Sequence, residues 1–340
     1  MTSTDSTIPW DVVIVGGGAA GLSAALILAR ARRRVLVLDG GEPRNRFAPH
    51  MHGVLSRDGY SPLDLVADGR REVRAADGVV ETARVATITA LEPGFELVTE
   101  AGESIRASRV VVATGIRDTL SDVPGLAEQW GRGVVACPYC DGYEARGKHI
   151  GVLSASLPGL HKAHMLRSYS PRVTVLSGLV GEIPAEESRA LTARGIRVDD
   201  RPIARVLSEG DRVTGVEFVA GGTLALDVLF TDPDMTPIDD LLRQLGAERI
   251  ETPAGPWTKT DATQQTSVPG LYAAGNVANP AALVPVAMAE GVAAATAINA
   301  GLVLDDISAA LAALAADEGL ATGDGHASDG DLAADEGLAS

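Results

Sequence analysis

The chain has almost no cysteine: two in 340 residues, Cys137 and Cys140. A disulfide-stapled framework is therefore excluded, and a lone Cys-x-x-Cys in a reducing compartment points to redox chemistry or metal binding. A zinc site needs two further ligands; no second Cys-x-x-Cys exists, and His149 and Glu144 are too scattered to complete one, so no metal is expected. Aromatic residues are scarce at 4%, so the core has to be built from Ala, Val, Leu and Ile. Basic residues are outnumbered, 29 against 45 acidic, and none occurs after Lys259. A formal net charge of −16 repels phosphate backbones and anionic headgroups, which argues against nucleic acid or a membrane surface as partner. No uninterrupted apolar run reaches bilayer length. Residues 1–9 contain neither the basic nor the apolar part of a secretory signal, so a cytoplasmic protein is expected.

Glycine, by contrast, is plentiful at 38 residues, and its placement is informative. Residues 11–15 form an apolar run of strand length, followed by Gly16-Gly17-Gly18-Ala19-Ala20-Gly21, a helical stretch over 22–32 and a second strand over 35–38 ending at Asp39. This is a βαβ unit, with the acidic residue about 20 positions beyond the glycines that the dinucleotide fingerprint requires. Gly16 permits the tight turn, Gly18 the approach of a pyrophosphate and Gly21 close helix–strand packing, while Asp39 can accept from a ribose hydroxyl. The helix start offers free N–H groups and partial positive charge. Alternation over 79–98 predicts a small antiparallel meander, and Ala113-Thr114-Gly115 closes a buried strand. A second strand–helix–strand pattern spans 150–153, 159–169 and 173–176, and an Ala-rich helix is expected over 287–299. From Asp305 the chain is Ala, Gly and acid, with the octet Leu-Ala-Ala-Asp-Glu-Gly-Leu-Ala at 314–321 and again at 332–339. Two copies are too few for a solenoid, and the segment is expected to be a disordered acidic tail.

The sharpest feature is Ala136-Cys137-Pro138-Tyr139-Cys140-Asp141. Two intervening residues bring the sulfurs within bonding distance when the second cysteine starts a helix, and such a helix end stabilises a thiolate. Asp141 reads either as a carboxyl that moves a proton to a departing thiolate or as an acid that only complements the helix dipole. His50 and His52 are alternative bases.

With Ala113-Thr114-Gly115, Ala273-Ala274-Gly275-Asn276 and the His52-Gly53 loop, the chain resembles the low-molecular-weight thioredoxin reductases from residue 11 to about residue 301. The resemblance implies FAD as cofactor and an α/β fold of two Rossmann-like domains with three-layer ββα architecture, the second inserted into the first. Residues 1–117 and 236–304 would form the FAD domain, 118–235 an NADPH-domain-like insertion carrying the cysteines, and 305–340 the tail. It also implies FAD contacts from Ala19, Ala20, Gly40, Arg44, Asn45, His52, Val85, Thr114, Gly115, Gly275, Asn276 and Val284, beside those of the first turn. Cys140 would exchange electrons with the flavin, Cys137 would meet the external substrate, and Asp141 would be the acid–base group. A homodimer is implied. The family has Asp where this chain has Asn276, whose amide can still bond a ribityl hydroxyl.

The family's second glycine motif is broken here, to Ser154-Ala155-Ser156-Leu157-Pro158-Gly159. A side chain in a left-handed turn costs roughly 1–2 kcal/mol, and a Cβ at the second position obstructs a pyrophosphate. The arginines expected to read a 2′-phosphate after residue 176 are absent, with no Lys or Arg before Arg189. An architecture of this kind without NADPH motifs resembles the dithiol oxidases of disulfide natural-product pathways, of gliotoxin and holomycin type, which pass electrons from a small dithiol to O2 and release H2O2. Two features depart from those patterns: Asp141 stands where many such oxidases have histidine, and Leu283-Val284-Pro285-Val286 lacks a reductase glutamine. Three readings stay open: a small-molecule dithiol oxidase, a thioredoxin-type reductase using NADPH weakly or a ferredoxin-type donor, and a non-catalytic flavin redox sensor.

Overall fold

The computed structural model describes residues 9–323. The runs Val12–Val15, Val35–Leu38 and Val110–Val112 are all but inaccessible to solvent. Strands apolar on both faces belong in the middle of a parallel sheet covered on either side, and that is where they lie. The strands Val79–Thr82, Val35–Asp39, Trp10–Val15, Ser104–Val112 and Leu271–Ala273 run parallel in that order. The first half of Ser104–Val112 also continues an antiparallel arm through Phe95–Thr99 and Val85–Ala90. The meander expected over 79–98 is thus half right: Val79–Thr82 is a parallel edge strand. Helices α1 (Ala19–Arg30) and α2 (Pro62–Ala75, capped by Ser61) cover one face.

The chain leaves this unit along Ile116–Thr119 and returns along Asp234–Pro237, the two strands pairing antiparallel as a ribbon. The boundaries expected at 117/118 and 235/236 fall inside that ribbon. Between its strands lies a five-stranded parallel sheet, in the order Arg197–Asp199, Val173–Leu176, Ile150–Leu153, Val228–Thr231, Val134–Val135, with a three-stranded antiparallel sheet beside it. The same insertion carries, beside the helix Ala185–Ala193, the short helices α3 (Pro138–Asp141) and α4 (His161–Leu166).

The helix expected over 287–299 is far longer, Val284–Gly323. It crosses α1 where Gly291 meets the Ala20 carbonyl, a spot at which any Cβ would collide. Residues 305–323 are therefore helical, which corrects the expectation of a disordered tail. Alanine is the strongest helix former, and a helix already nucleated by packing on α1 propagates cheaply. Ion pairs Arg109–Asp305 (2.6 Å) and Arg33–Asp306 (2.9 Å) fasten it as it leaves the body. The second octet lies outside the described residues. By length and composition this helix, over Val284–Asp317, could also cross a membrane, contrary to the sequence reading, although Ala294, Ala295 and Ile298 are packed in the α1 core.

Candidate active site

The strand Trp10–Val15 ends at Gly16, whose φ of +106° suits glycine alone and whose absent Cβ would strike the Ala113 carbonyl. Gly21 packs α1 onto the turn, since a Cβ there would run into the Gly16 carbonyl. Gly18 is different: nothing in the protein lies within 4 Å of where its Cβ would stand. It is the N-cap of α1 with no side-chain cap, and the first turn of that helix holds no acid. Gly16 N–H donates to the Leu38 carbonyl, and beyond it the start of α1 borders open space, as anion binding demands.

That space is a cleft of about 340 Å³ running from the glycine turn to the cysteines. Of the residues expected around FAD, it is lined by Gly16, Gly18, Ala19, Ala20, Asp39, Arg44, Asn45, His52, Ala113, Thr114, Gly115, Gly275, Asn276 and Val284. Cys137, Cys140 and Asp141 line it too. Gly21 stands behind the turn. Gly40 and Val85 do not reach the cleft: Gly40 backs onto the Arg84 side chain, and Val85 packs on the sheet core. Charged groups of the wall are already engaged. Arg44 makes a bidentate pair with Asp118 (2.7 and 2.8 Å), and Asp39 pairs with Arg70.

Opposite the turn, Asn276 gives its amide hydrogens to the carbonyls of Asn279 (3.0 Å), Pro280 (3.3 Å) and Ala282 (3.0 Å). An aspartate has no hydrogen to donate and would set negative charge against three carbonyl oxygens, so asparagine suits this loop. Glu290, buried on the long helix, accepts from Gly275 N (2.8 Å) and from Asn279 Nδ2 (2.7 Å) and so pins the same loop. Sequence reasoning missed Glu290. A lone charge in the apolar stretch 284–304 was the available signal, because such a charge is buried only when it has partners.

The cysteines are joined as a disulfide, Cα to Cα 5.2 Å. The helix is started by the first of them, not the second. Cys137 is the N-cap of α3, and its Sγ accepts from Cys140 N at 3.2 Å. Asp141 ends that helix half-buried, and burial pushes its carboxyl up to about 6, with Glu144 adding to the rise and His52 opposing it. His52 stands with Nδ1 3.5 Å from Asp58 and Nε2 3.8 Å from Glu144. His50 turns away to the Gly59 carbonyl at 3.1 Å.

The second turn is folded back on its first serine. Ser154 is fully buried, donates to the Ser156 carbonyl (2.8 Å) and accepts from Ser156 N (3.2 Å). Lys162, held in α4, gives its ammonium to Asp232 (2.6 Å) and the Thr231 carbonyl (2.6 Å), and burial lowers its pKa. Gly159 is wedged against Ser154 Oγ and the Asp232 carboxylate. The strain argued from sequence does not apply, because neither serine takes a positive φ. The turn is rebuilt around the serines.

A cleft joining a dinucleotide turn to a disulfide bears on family, and comparison decides it. The signature of pyridine nucleotide-disulphide oxidoreductases matches residues 10–291. The chain belongs to the pyridine nucleotide-disulphide oxidoreductases. Within that family it is 33% identical to thioredoxin reductase tcpT of Claviceps purpurea, over 78% of this chain and 86% of that one. It is 32% identical to thioredoxin reductase sirT of Leptosphaeria maculans, over 85% and 93%. The crystal structure of HlmI superposes with a TM-score of 0.86 at 41% identity, covering 91% of this chain and 97% of that one. This pyridine nucleotide-disulphide oxidoreductase thus has the thioredoxin reductase fold and is a flavin-dependent thiol/disulfide oxidoreductase with FAD as its cofactor. The residues fit that group: an uncapped helix start, a glycine with free space before it and an acid at the strand end form one continuous wall.

Proposed function

We propose that the protein is a dithiol oxidase, which closes a disulfide in a small organic dithiol and gives the electrons to O2, released as H2O2. The carrying observation is the filled second turn. An NADPH pyrophosphate entering there would have to displace the buried Ser154 and break the Lys162–Asp232 pair. With that turn folded on its own serine and its lysine paired, electrons are taken to enter through the cysteines. The resemblance to the dithiol oxidases of disulfide natural-product pathways supports a small organic dithiol as the substrate class.

In the first cleft, Gly16, Gly18 and the start of α1 would hold the FAD pyrophosphate, Asp39 a ribose, and the Gly275–Asn276 turn the ribityl chain. FAD bound there supplies the two-electron acceptor and its reoxidation by O2. The chain's own residues carry out the exchange. A substrate thiolate attacks Cys137 Sγ, the Cys137–Cys140 bond breaks, and Cys140 leaves as a thiolate that takes a proton from Asp141. The substrate's second thiol gives its proton back to Asp141 and attacks the mixed disulfide at the substrate sulfur. The substrate disulfide forms, and Cys137 departs as a thiolate, which takes up the proton released by the first thiol. Cys140 N–H, already aimed at Cys137 Sγ, supports charge on that leaving sulfur.

Oxygen uptake with dithiothreitol tests the reading. One H2O2 per disulfide formed is expected, with a loss of roughly 1,000-fold or more in Cys140→Ser while the protein stays yellow. No H2O2 from any small dithiol would refute it.

A further inference from the structure

The family signature ends at residue 291, whereas the long helix runs on to Gly323. Its packed face is Ala294, Ala295, Ile298 and Leu302, buried in the core shared with α1. From residue 303 to residue 317 every residue is exposed. Within that stretch stand Leu304, Ile307, Leu311 and Leu314, exposed by 64%, 50%, 62% and 56%. Intervals of three, four and three residues set them in one line along the helix, as the a and d positions of a heptad. At 3.6 residues per turn this line is on the side opposite the α1 contact. Apolar side chains scattered singly on a surface need no explanation, but four in a row mark a docking face. The positions flanking the line, Ser308, Ala310 and Ala315, are small and uncharged, so a second helix can approach closely.

We propose that this stripe pairs with the same stripe of a second copy of the chain, the two helices running antiparallel about residue 309. The stripe is symmetric about that point. Reversal brings Leu304 opposite Leu314 and Ile307 opposite Leu311, so one patch is its own complement, as a two-fold contact requires. The contact lies beyond the part of the chain that the family signature covers, and it does not depend on the oxidase reading.

Charge selects the same partner and the same direction. The acids at the base of the stripe are already neutralised, Asp305 by Arg109 (2.6 Å) and Asp306 by Arg33 (2.9 Å). Asp317, at the far end, has no ion pair among the described residues, and it shares a helix flank with Asn299, Val303, Asp306 and Ala310. Antiparallel pairing brings Asp317 of each copy level with residue 301 of the other, on that flank. There Arg33 holds Asn299 (2.8 Å), and the end of α1 adds the exposed Arg30 and Arg32. In a chain of formal net charge −16, this arginine-rich corner complements a helix end that carries only acid. Parallel pairing would instead bring the two acidic ends together.

The test is analytical ultracentrifugation of the full FAD-loaded chain, together with spin-label distances. Cys137 and Cys140 are joined to each other, so a cysteine introduced at Ala312 or at Ala316, on the outer side of the pair, offers the label a single free thiol. Concentration-dependent self-association is expected. Antiparallel pairing offsets the two labels along the axis by about 3 Å for each residue of distance from 309. The label pair in Ala316→Cys should therefore be roughly 7–10 Å farther apart than in Ala312→Cys. Ile307→Lys/Leu311→Lys changes two exposed side chains, so FAD should stay bound while self-association weakens by roughly a hundredfold or more. Self-association that ignores the two lysines, or equal label distances at the two positions, would overturn the pairing. So would a monomer at every concentration, whether it floats with phosphatidylcholine vesicles or associates only after residues 324–340 are removed, because the stripe would then serve a bilayer or the chain's own last segment.

Discussion

The protein contains the same strand–turn–helix unit twice, and the two copies have met opposite fates. After Trp10–Val15, a turn with no side chain in it leads straight into the twelve-residue α1, whose first N–H groups look into an open cleft. After Ile150–Leu153, a buried serine folds back on its own loop, a short 3-10 turn intervenes, and α4 has only six residues. Lys162, on α4 just after that turn, is spent on Asp232. Both sheets remain intact, so the second copy kept its fold while its turn was rebuilt. Binding sites of this kind depend less on the strands and helices than on what is left out between them.

The largest effects expected from breaking this contrast come from a pair of alanine substitutions. Gly18→Ala adds a Cβ that touches no protein atom, so the apoprotein should melt like wild type while FAD affinity falls on the order of a hundredfold, at about 1.4 kcal/mol per decade. Gly159→Ala drives a Cβ into Ser154 and Asp232. FAD should stay bound while stability falls by about 1–3 kcal/mol. Flavin release and thermal melts check both, and equal behaviour of the two variants would erase the distinction. Asn276→Asp comes next. It replaces three donated hydrogen bonds with repulsion, and a loss of about 1–3 kcal/mol with a faster FAD off-rate is expected. The double change Ser154→Gly/Ser156→Gly should improve NADPH affinity by less than roughly tenfold, because Lys162 and Asp232 still occupy the turn. Tight NADPH binding by that variant would mean the serines alone had closed it.

The smallest effect concerns stability against pH. Burial raises the Asp141 carboxyl from 3.8 to about 6, so the folded state binds the proton more tightly than the unfolded chain. The resulting stability is complete below about 4 and is lost as pH rises through about 6. Asp141→Asn should therefore match wild type near pH 4 and melt higher than wild type at pH 8. The reverse order would contradict the assigned burial.

Much of the site was legible in the sequence because local rules governed it. The glycine turn, Asp39 and the cysteine pair each require particular residue types at fixed spacings, and the cleft brings them together. Ser154 and Ser156 were recognisable as departures from a nucleotide motif, but the reason was mistaken. Strain was expected, whereas the closing groups are Lys162 and Asp232, about 70 residues apart and paired only by the fold. Gly40 and Val85 were placed by resemblance and lie off the cleft, facing Arg84 and the sheet core. Composition misled over residues 305–323: acidic, Ala-rich chain was read as a tail, yet packing on α1 and two arginines carry it on as helix. Glu290 escaped because its partners, Gly275 N and Asn279, are arranged by a turn that no pattern announces.

The most direct measurement is an anaerobic titration of the yellow protein, first with NADPH and then with a dithiol, before air is admitted. Micromolar NADPH should leave the flavin oxidised, the dithiol should bleach it through Cys137 and Cys140, and air should restore the colour with H2O2. Rapid bleaching by micromolar NADPH would contradict the central claim, because the second turn would then have to bind a nucleotide in the space that Ser154, Lys162 and Asp232 fill.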